Sequence, residues 1–286
     1  MKNGKSRIVI IIMIFIIGLL ILVYPFVSDW YNTKNFLEKV SVYEEEVNFL
    51  PKETLEKEWK LATDYNNSLK GEPVKDPFVE GSGTALPENY LNVLNINDTM
   101  AVLEIPSIDV KLPVYHGTDQ EILKKGLGHI EGTFLPIGTE GGHAFITGHT
   151  GLPTAKLLTD LIELEEGNEF YIKVLDKELT YQVDEITTVT PDEFSQLPPD
   201  IDGDYVTLVT CTPYGVNSHR LLVRGTRVYH MSKVIQITEH NSYLWEILMG
   251  LSGSLIVITS CVLVINIKRK RQLDKREVIL SNKEGI

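Results

Sequence analysis

Two long runs of hydrophobic residues lie near the ends of the chain. The first covers residues 8–27 and contains no charged side chain, and the second covers residues 247–265. About twenty residues at a rise of roughly 1.5 Å each match the roughly 30 Å hydrocarbon core of a bilayer. The second run follows an interfacial aromatic pair, Tyr243 and Trp245, and its helix is predicted over residues 244–267. The pattern predicts two transmembrane helices.

Basic residues next to these runs predict their orientation. Three occur within residues 1–7, and seven occur within residues 268–286. Segments on the cytoplasmic side of a membrane carry an excess of Lys and Arg. We therefore expect both termini to be cytoplasmic tails and the region between the two helices to lie on the extracellular face of the membrane.

Each hydrophobic run also has an alternative interpretation. The first could be a cleaved signal peptide, but it exceeds the usual length of about 7–15 residues and no small-residue cleavage site follows before Trp30. The second could be a buried C-terminal helix, but Gly250, Gly253 and Ser254, with the basic residues that follow, are more typical of a membrane span. Two spans are the favoured interpretation.

The segment that follows the first run has helical periodicity. Its apolar residues recur three or four positions apart, at Phe36, Val40, Tyr43, Val47 and Leu50. Pro51 suits the first turn of a second helix, whose apolar positions are Leu55, Trp59 and Ala62. The pattern predicts an N-terminal helical region over residues 28–70.

Glycine and proline interrupt this regular pattern over residues 71–88. The interrupting residues are Gly71, Pro73, Pro77, Gly81, Gly83 and Pro87. A loop of this length in a compact domain is usually a lid or a linker. We predict a lid loop here.

From residue 89 to about residue 235 the chain changes to short β-type runs separated by Gly, Pro and Asp. The runs are residues 100–105, 144–147, 170–174, 180–189, 205–210 and 221–223, with a further β-type position at Val228. Short helices are predicted near residues 120–125 and over residues 154–164, where leucines form an apolar stripe. These signals predict a mainly β domain, either a barrel or a sandwich.

Composition excludes several other classes of protein. The 286 residues are 43% hydrophobic and 23% charged, which is typical of a chain that buries a core. The formal net charge of −12 argues against nucleic-acid binding, because phosphate backbones require a basic surface. We find no zinc, calcium or dinucleotide-binding motif, so we predict neither a metal ion nor a cofactor.

The two cysteines of the chain are expected in different environments. Cys261 lies within the second hydrophobic run, whereas Cys211 lies in the exported region, so the two cannot pair with each other. Outside the cytoplasm a cysteine is normally oxidised to a disulfide or retained for its chemistry. Cys211 is therefore a candidate nucleophile, and a small buried hydrophobic residue is the alternative interpretation.

Arg220 is expected close to Cys211. Residues 204–211 alternate as a strand, residues 212–215 have turn chemistry, and another β-type run begins near residue 219. If the two strands form a hairpin, Arg220 and Cys211 share one end of the sheet. A cysteine nucleophile needs a base or a positive neighbour, and acyl transfer needs a donor for the oxyanion. Arg220 can provide the charge, but it remains protonated and cannot act as the base.

His149 is the candidate general acid and base. It follows a β-type run, and nearby glycines on both sides leave its imidazole unobstructed. A surface histidine in a glycine-rich loop is the alternative interpretation. We interpret His116 and His129 as residues that orient loops, and we assign no role to His143, His219, His230 or His240.

These residues resemble the sortases. The segment Thr207-Leu-Val-Thr-Cys211 is similar to the sortase signature Thr-Leu-x-Thr-Cys, and Thr147-Gly-His149-Thr-Gly resembles the histidine loop of that family. Arg220 lies at the position of the family's arginine, and the similarity extends from about Ala101 to Arg227. The resemblance implies a closed sortase-type β-barrel with Cys211, His149 and Arg220 as the catalytic residues. Thr210 and Thr212, on either side of Cys211, are expected to bind substrate.

Two further features resemble class C, the pilin-polymerising sortases of Gram-positive bacteria. That class has two membrane spans and a lid with an Asp-Pro-aromatic motif, which here reads Asp76-Pro77-Phe78. The resemblance implies that Phe78 covers the cysteine and that Asp76 lies near the active-site groups. An ordinary Asp-Pro turn is the alternative interpretation.

The resemblance also implies a reaction and a partner. A class C enzyme cleaves a Leu-Pro-x-Thr-Gly-like signal of a pilin subunit and transfers the acyl group to a lysine of another subunit. The alternatives are a housekeeping sortase that anchors surface proteins to the cell-wall precursor and a non-catalytic membrane-tethered scaffold for pilus assembly. A papain-like peptidase is disfavoured because its cysteine precedes its histidine in the chain. The sequence does not predict an oligomeric state.

Overall fold

A computed structural model describes residues 2–69, 74–78, 89–200 and 202–229. Of the proposed lid loop it describes residues 74–78, and the predicted span over residues 244–267 and the tail over residues 268–286 lie outside the described residues. Within the described part of the chain, one helix is long and apolar enough to cross a membrane, and none of its apolar window is buried. The two-span arrangement therefore stays a prediction.

Two long helices precede the β-domain. Helix α1 covers Lys2–Phe49 and helix α2 covers Lys52–Ser68, with Pro51 between them. The first hydrophobic run and the predicted helix after it therefore form one continuous helix. The periodic residues Phe36, Val40, Tyr43 and Val47 are buried against the β-domain, which explains their spacing.

The β-domain is a closed barrel of eight strands, which confirms the barrel among the two predicted architectures. The strands are β1 (Thr99–Ile105), β2 (Val110–His116), β3 (Leu127–His129), β4 (Gly142–Thr147), β5 (Glu169–Val174), β6 (Lys177–Val189), β7 (Asp204–Thr212) and β8 (His219–Val228). Their order around the barrel is β1-β2-β3-β4-β7-β8-β6-β5. The pairs β2–β3 and β4–β7 are parallel, and the remaining pairs are antiparallel.

Two short helices lie between strands, namely α3 (Gln120–Leu123) and α4 (Pro191–Phe194). Helix α3 agrees with the prediction near residues 120–125. The helix predicted over residues 154–164 is wrong, because only Thr159–Glu163 are helical, as a 3₁₀ turn. Leu157 has a φ of 44°, so Leu157 and Leu158 are buried from a loop, whereas Leu161 is buried from the 3₁₀ turn.

Strand β7 is buried on both faces. Its inner face places Val206 and Leu208 in the main core of the barrel. On its outer face Val209 belongs to a second apolar cluster, which contains Phe194 from α4 and Val74 from the lid segment. Residues 74–78 and the connection between β6 and β7 therefore cover the face of the strand that leads to Cys211.

Candidate active site

The pairing of β7 with β8 fixes the position of Cys211 relative to Arg220. The two strands are antiparallel, as predicted, and Cys211 lies directly opposite Arg220 in their register. Both residues are buried, at 7% and 4% exposure, although a polar loop over residues 213–218 connects the strands. The strand ladder thus holds a thiol beside a guanidinium in a largely desolvated place.

The parallel pairing of β4 with β7 brings His149 to the same end of the barrel. Thr147, the last residue of β4, pairs with Val209 of β7. Because both strands run in the same direction, His149 and Cys211 each follow this pair by two residues at the same end of the barrel. The Gly148 N–H donates to the Val209 carbonyl over 3.1 Å and extends the ladder towards His149.

Local contacts then hold the backbone on either side of His149. The Thr210 hydroxyl donates to the Gly148 carbonyl over 2.7 Å and lies 2.9 Å from the Thr150 hydroxyl. A Cβ at Gly148 would lie 2.5 Å from a methyl carbon of Leu127 and 3.1 Å from one of Leu158, so a larger residue would have to displace these buried side chains. The sequence alone does not predict that Thr210 supports the backbone beside His149. The alternation of residues along β7 shows which face a side chain occupies, but it does not show which strand lies beside β7.

The described part of the lid lies against the same groups. Arg220 Nε donates to both carboxylate oxygens of Asp76, over 3.0 and 3.2 Å, and Asp76 is 1% exposed. The Phe78 N–H donates to Asp76 Oδ1 over 2.9 Å. The Phe78 ring centre lies 5.8 Å from that of His149 and 5.1 Å from the guanidinium carbon of Arg220. Pro77 is half-buried between these two contacts.

Burial moves both titratable groups of the site towards their neutral forms. It raises the pKa of the Cys211 thiol, an effect that the Arg220 charge opposes and the Asp76 carboxylate reinforces. Burial lowers the pKa of His149, and the positive charge of Lys124 lowers it further. With the lid segment in this position, the site is a neutral thiol near a neutral imidazole at neutral pH.

A small pocket of about 40 Å³ opens beside Cys211. Thr210 and Thr212 contribute to its lining together with Tyr214 and Ile162. It is comparable in size to one water molecule at about 30 Å³, so a peptide needs a wider opening. The assignment of Thr210 and Thr212 to substrate binding stays a prediction.

Three other histidines are buried in the described structure and make defined hydrogen bonds. His129 contacts the Tyr90 hydroxyl through Nδ1 over 2.9 Å and the Phe134 carbonyl through Nε2 over 2.8 Å, and burial lowers its pKa to about 4. His116 contacts the Val93 carbonyl over 2.7 Å. These contacts agree with the prediction that His116 and His129 orient loops.

The third of these buried histidines, His143, was given no role in the sequence analysis. Its Nε2 lies 2.7 Å from the Thr207 hydroxyl, and its Nδ1 accepts the Asp200 N–H over 3.0 Å. It therefore ties β4 to β7 and to the segment before β7. Among the residues that the structure describes, no group of three His, Cys, Asp or Glu is placed to hold a metal ion.

Comparisons with known proteins agree with this geometry. Residues 103–228 match the family model of the sortase domain. Sortase D of Bacillus subtilis is 30% identical over 130 residues, which make up 44% of this chain and 63% of that protein, less than two thirds of its length. Sortase A of Bacillus anthracis is 24% identical over 230 residues, which make up 79% of this chain and 97% of that protein.

Solved structures show a higher sequence identity than these two relatives. Sortase C of Streptococcus pneumoniae is 43% identical, with a TM-score of 0.63, and the match covers 69% of this chain and 100% of that chain. A pilus-related sortase C of Group B Streptococcus is 40% identical, with a TM-score of 0.62, and the match covers 66% of this chain and 97% of that chain. With Cys211, Arg220 and His149 at one end of such a barrel, the chain belongs to the sortase family.

Proposed function

We propose that this chain is a class C sortase, a cysteine transpeptidase that polymerises pilins. It cleaves a Leu-Pro-x-Thr-Gly-like sorting signal between Thr and Gly and transfers the acyl group to a lysine of another pilin. The observation that carries the proposal is the β7–β8 register, in which Cys211 lies opposite Arg220, together with Phe78, which contacts both Arg220 and His149. The similar sortase C of S. pneumoniae, whose study concerns pilin substrate specificity, supports the choice of substrate class.

In the first half of the reaction, the thiolate of Cys211 attacks the threonine carbonyl carbon of the signal. The C–N bond to glycine then breaks, and protonated His149 donates a proton to the departing amine. The product is a thioester between Cys211 and the pilin. A neutral thiol and a neutral imidazole contain the same number of protons as a thiolate and an imidazolium, so proton transfer within the site generates the reactive pair.

In the second half of the reaction, a lysine amine of the next pilin attacks the thioester carbonyl. Neutral His149 accepts the proton that the amine loses, and the C–S bond breaks to release the Cys211 thiolate. An isopeptide bond remains between the two subunits. No cofactor or external energy source is required, because one amide bond is exchanged for another.

Arg220 is the donor that we assign to the oxyanion formed in both halves. Its Nε is bonded to Asp76, and its Nη1 donates to the carbonyls of Asn217 and His219. These carbonyl bonds orient the guanidinium plane. Nη2 makes no hydrogen bond to the described part of the chain, so it remains available to a substrate oxygen. Donors aimed at a developing oxyanion are worth a factor of about 10²–10³ in rate.

Asp76, Pro77 and Phe78 form the inhibitory part of the lid in this proposal. Phe78 occupies space next to His149 and Arg220, and Asp76 occupies the Nε donor of Arg220. A substrate must therefore displace the lid before it can reach Cys211. This arrangement favours a pilin-polymerising enzyme over a housekeeping sortase, for which no lid is needed.

We further propose that residues 8–27 and 244–267 are two membrane spans, with residues 1–7 and 268–286 in the cytoplasm and the barrel outside. The exposed apolar window of α1 supports a membrane anchor at the N-terminal end. A C-terminal epitope tag tests the topology. It should be protected from external protease in intact protoplasts and digested after lysis, whereas digestion before lysis would contradict the second span.

The catalytic proposal is tested with the full-length chain in membranes and candidate pilin substrates. Cys211→Ala should abolish both the thioester adduct, detected by mass spectrometry, and the ladder of covalent pilin polymers on denaturing gels. The matched control is Cys261→Ala, which removes the other cysteine of the chain and should leave both products intact. Ladders that persist in Cys211→Ala would instead support the non-catalytic scaffold.

A further inference from the structure

The face of α1 that packs on the barrel continues beyond its buried apolar residues, in the direction of the predicted membrane span. Phe36, Val40, Tyr43 and Val47 pack on the barrel. At the same helical spacing, Asn32 and Asp29 extend this face by about two more turns towards the N-terminus. Polar residues at positions where a helix meets its domain require polar partners.

Those partners are backbone groups of the loop that begins at His149. The Asn32 side-chain amide donates to the Thr154 carbonyl over 2.8 Å, and the Lys156 N–H donates to Asp29 Oδ1 over 2.8 Å. One residue therefore supplies a donor and the other an acceptor to the same short stretch of backbone. The stretch is irregular, so it lacks the hydrogen bonds that a helix would provide.

The same loop is closed onto His149 by its own hydrogen bonds. The Leu158 N–H donates to the His149 carbonyl over 3.3 Å, and the Gly151 N–H donates to the Thr159 hydroxyl over 3.1 Å. Residues 149–159 thus form a compact unit, which is held at one side by β7 and at the other by α1. A shift of the backbone at Thr154 and Lys156 would be transmitted to the backbone of His149.

We propose that Asp29 and Asn32 are positioning residues, which fix the loop of His149 to the part of α1 that directly follows its apolar run. The inference rests on the proposed function, in which His149 transfers the protons. Asp29 lies two residues beyond the end of the apolar run, or about 3 Å along the helix axis. The anchor helix thereby supports the active site, in addition to holding the enzyme in the membrane.

Variants of the full-length protein in nanodiscs test this proposal, because each substitution removes or keeps the donor or the acceptor of one of these hydrogen bonds. Asp29→Asn retains an acceptor for the Lys156 N–H, whereas Asp29→Ala removes it. Asn32→Asp removes the donor to Thr154 and places a carboxylate next to a carbonyl. Asp29→Ala and Asn32→Asp should each lower kcat for a sorting-signal peptide about tenfold with KM unchanged, the loss expected for one hydrogen bond to a positioned loop.

Asp29→Asn should recover most of the rate that Asp29→Ala loses, and Lys34→Ala, on the exposed side of the same turn, should behave as wild type. Wild-type kcat in both disruptive variants would overturn the inference. So would an equal loss in Asp29→Asn and Asp29→Ala, because that result indicates an effect of charge near the lipid headgroups rather than of an acceptor.

Hydrogen exchange separates this inference from the proposed function. The Lys156 amide should exchange at least tenfold faster in Asp29→Ala than in Asp29→Asn, whether or not the protein turns over any peptide. If the wild-type chain forms no thioester but the exchange difference is present, the proposed function fails and the loop contact stands. An unchanged exchange rate at Lys156 would refute the contact itself.

Discussion

Asp76 has two electrostatic effects at the level of single residues. Its carboxylate is paired with the guanidinium of Arg220, and its negative charge raises the pKa of the nearby Cys211 thiol in addition to the larger effect of burial. The same residue therefore occupies the Nε donor of Arg220 and opposes ionisation of the Cys211 thiol. Both effects would end when the lid segment moves away.

We predict that Asp76→Asn lowers the pKa of Cys211. Removal of the negative charge favours the thiolate, so the thiolate fraction at neutral pH rises and the midpoint of the reactivity profile moves to lower pH. One pKa unit corresponds to about a tenfold change in thiolate fraction well below the pKa. The rate of alkylation by iodoacetamide, measured from pH 5 to 10, should rise about threefold to tenfold at pH 7.

Lys75→Gln is the matched control for this prediction, because Lys75 is the exposed neighbour of Asp76 and also changes the charge by one unit. Its profile should overlap with that of the wild type. A midpoint for Asp76→Asn that is unchanged or moves to higher pH would contradict the electrostatic interpretation of the lid.

The sequence was sufficient to predict that Cys211 and Arg220 lie side by side but not the contacts that support the site. Cys211, His149 and Arg220 occur in recognisable segments, and strand pairing brings Cys211 and Arg220 together as expected. The bond between Thr210 and Gly148 could not be predicted, since it depends on which strand lies beside β7. The same holds for Asp29 and Asn32, whose partners are more than 120 positions away in the chain.

At the level of elements, Val74 fixes the described part of the lid to the barrel. Its side chain is 2% exposed and packs in an apolar cluster with Phe194, Val209 and Leu222. Its N–H donates to the Leu197 carbonyl over 3.3 Å. The lid is thus held by the connection between β6 and β7 in addition to its ion pair with Arg220.

We predict that Val74→Ala increases the open fraction of the lid. Loss of two buried methyl groups costs about 1.5 kcal/mol, which is roughly a tenfold shift in a two-state equilibrium. The apparent affinity for a sorting-signal peptide and the rate of Cys211 labelling should both rise by up to that factor. Lys75→Ala should have no effect, and equal labelling rates in the two variants would show that Val74 does not hold the lid closed.

Strand prediction failed at β2 and β3 for identifiable reasons. β2 contains Pro113, which cannot donate to a ladder, and β3 has only three residues, one of which is Gly128. The helix predicted over residues 154–164 failed because its leucines are buried by a loop fixed at both ends. Apolar spacing reports which residues are buried, but it does not distinguish a helix from a loop that is held by tertiary hydrogen bonds.

At the level of the whole molecule, Tyr43 connects α1 to two parts of the barrel. Its hydroxyl donates to the Met100 carbonyl over 3.2 Å and accepts the Leu175 N–H over 2.8 Å. The side chain is 1% exposed, so neither backbone group can obtain a replacement bond from water without rearrangement. The helix is therefore part of the folded domain.

We predict that Tyr43→Phe lowers the free energy of unfolding by about 1–3 kcal/mol, because two buried backbone groups lose a partner. For a domain of this size the loss corresponds to about 2–4 °C in Tm for each kcal/mol. The decrease in Tm is measured by thermal unfolding of the full-length protein in detergent, followed by circular dichroism. Tyr31→Phe on the exposed face is the control, and equal Tm values for the two variants would contradict a structural role of α1.

The unbroken course of α1 limits how far this enzyme can reach. The helix is continuous from its apolar half to the part that packs on the barrel. It contains no flexible spacer that would let Cys211 extend away from the membrane into the cell wall. Encounters with substrate would then take place close to the plane of the bilayer. Under the proposed function, every new joint between subunits would form close to the lipid, and the older subunits of a fibre would be pushed outwards.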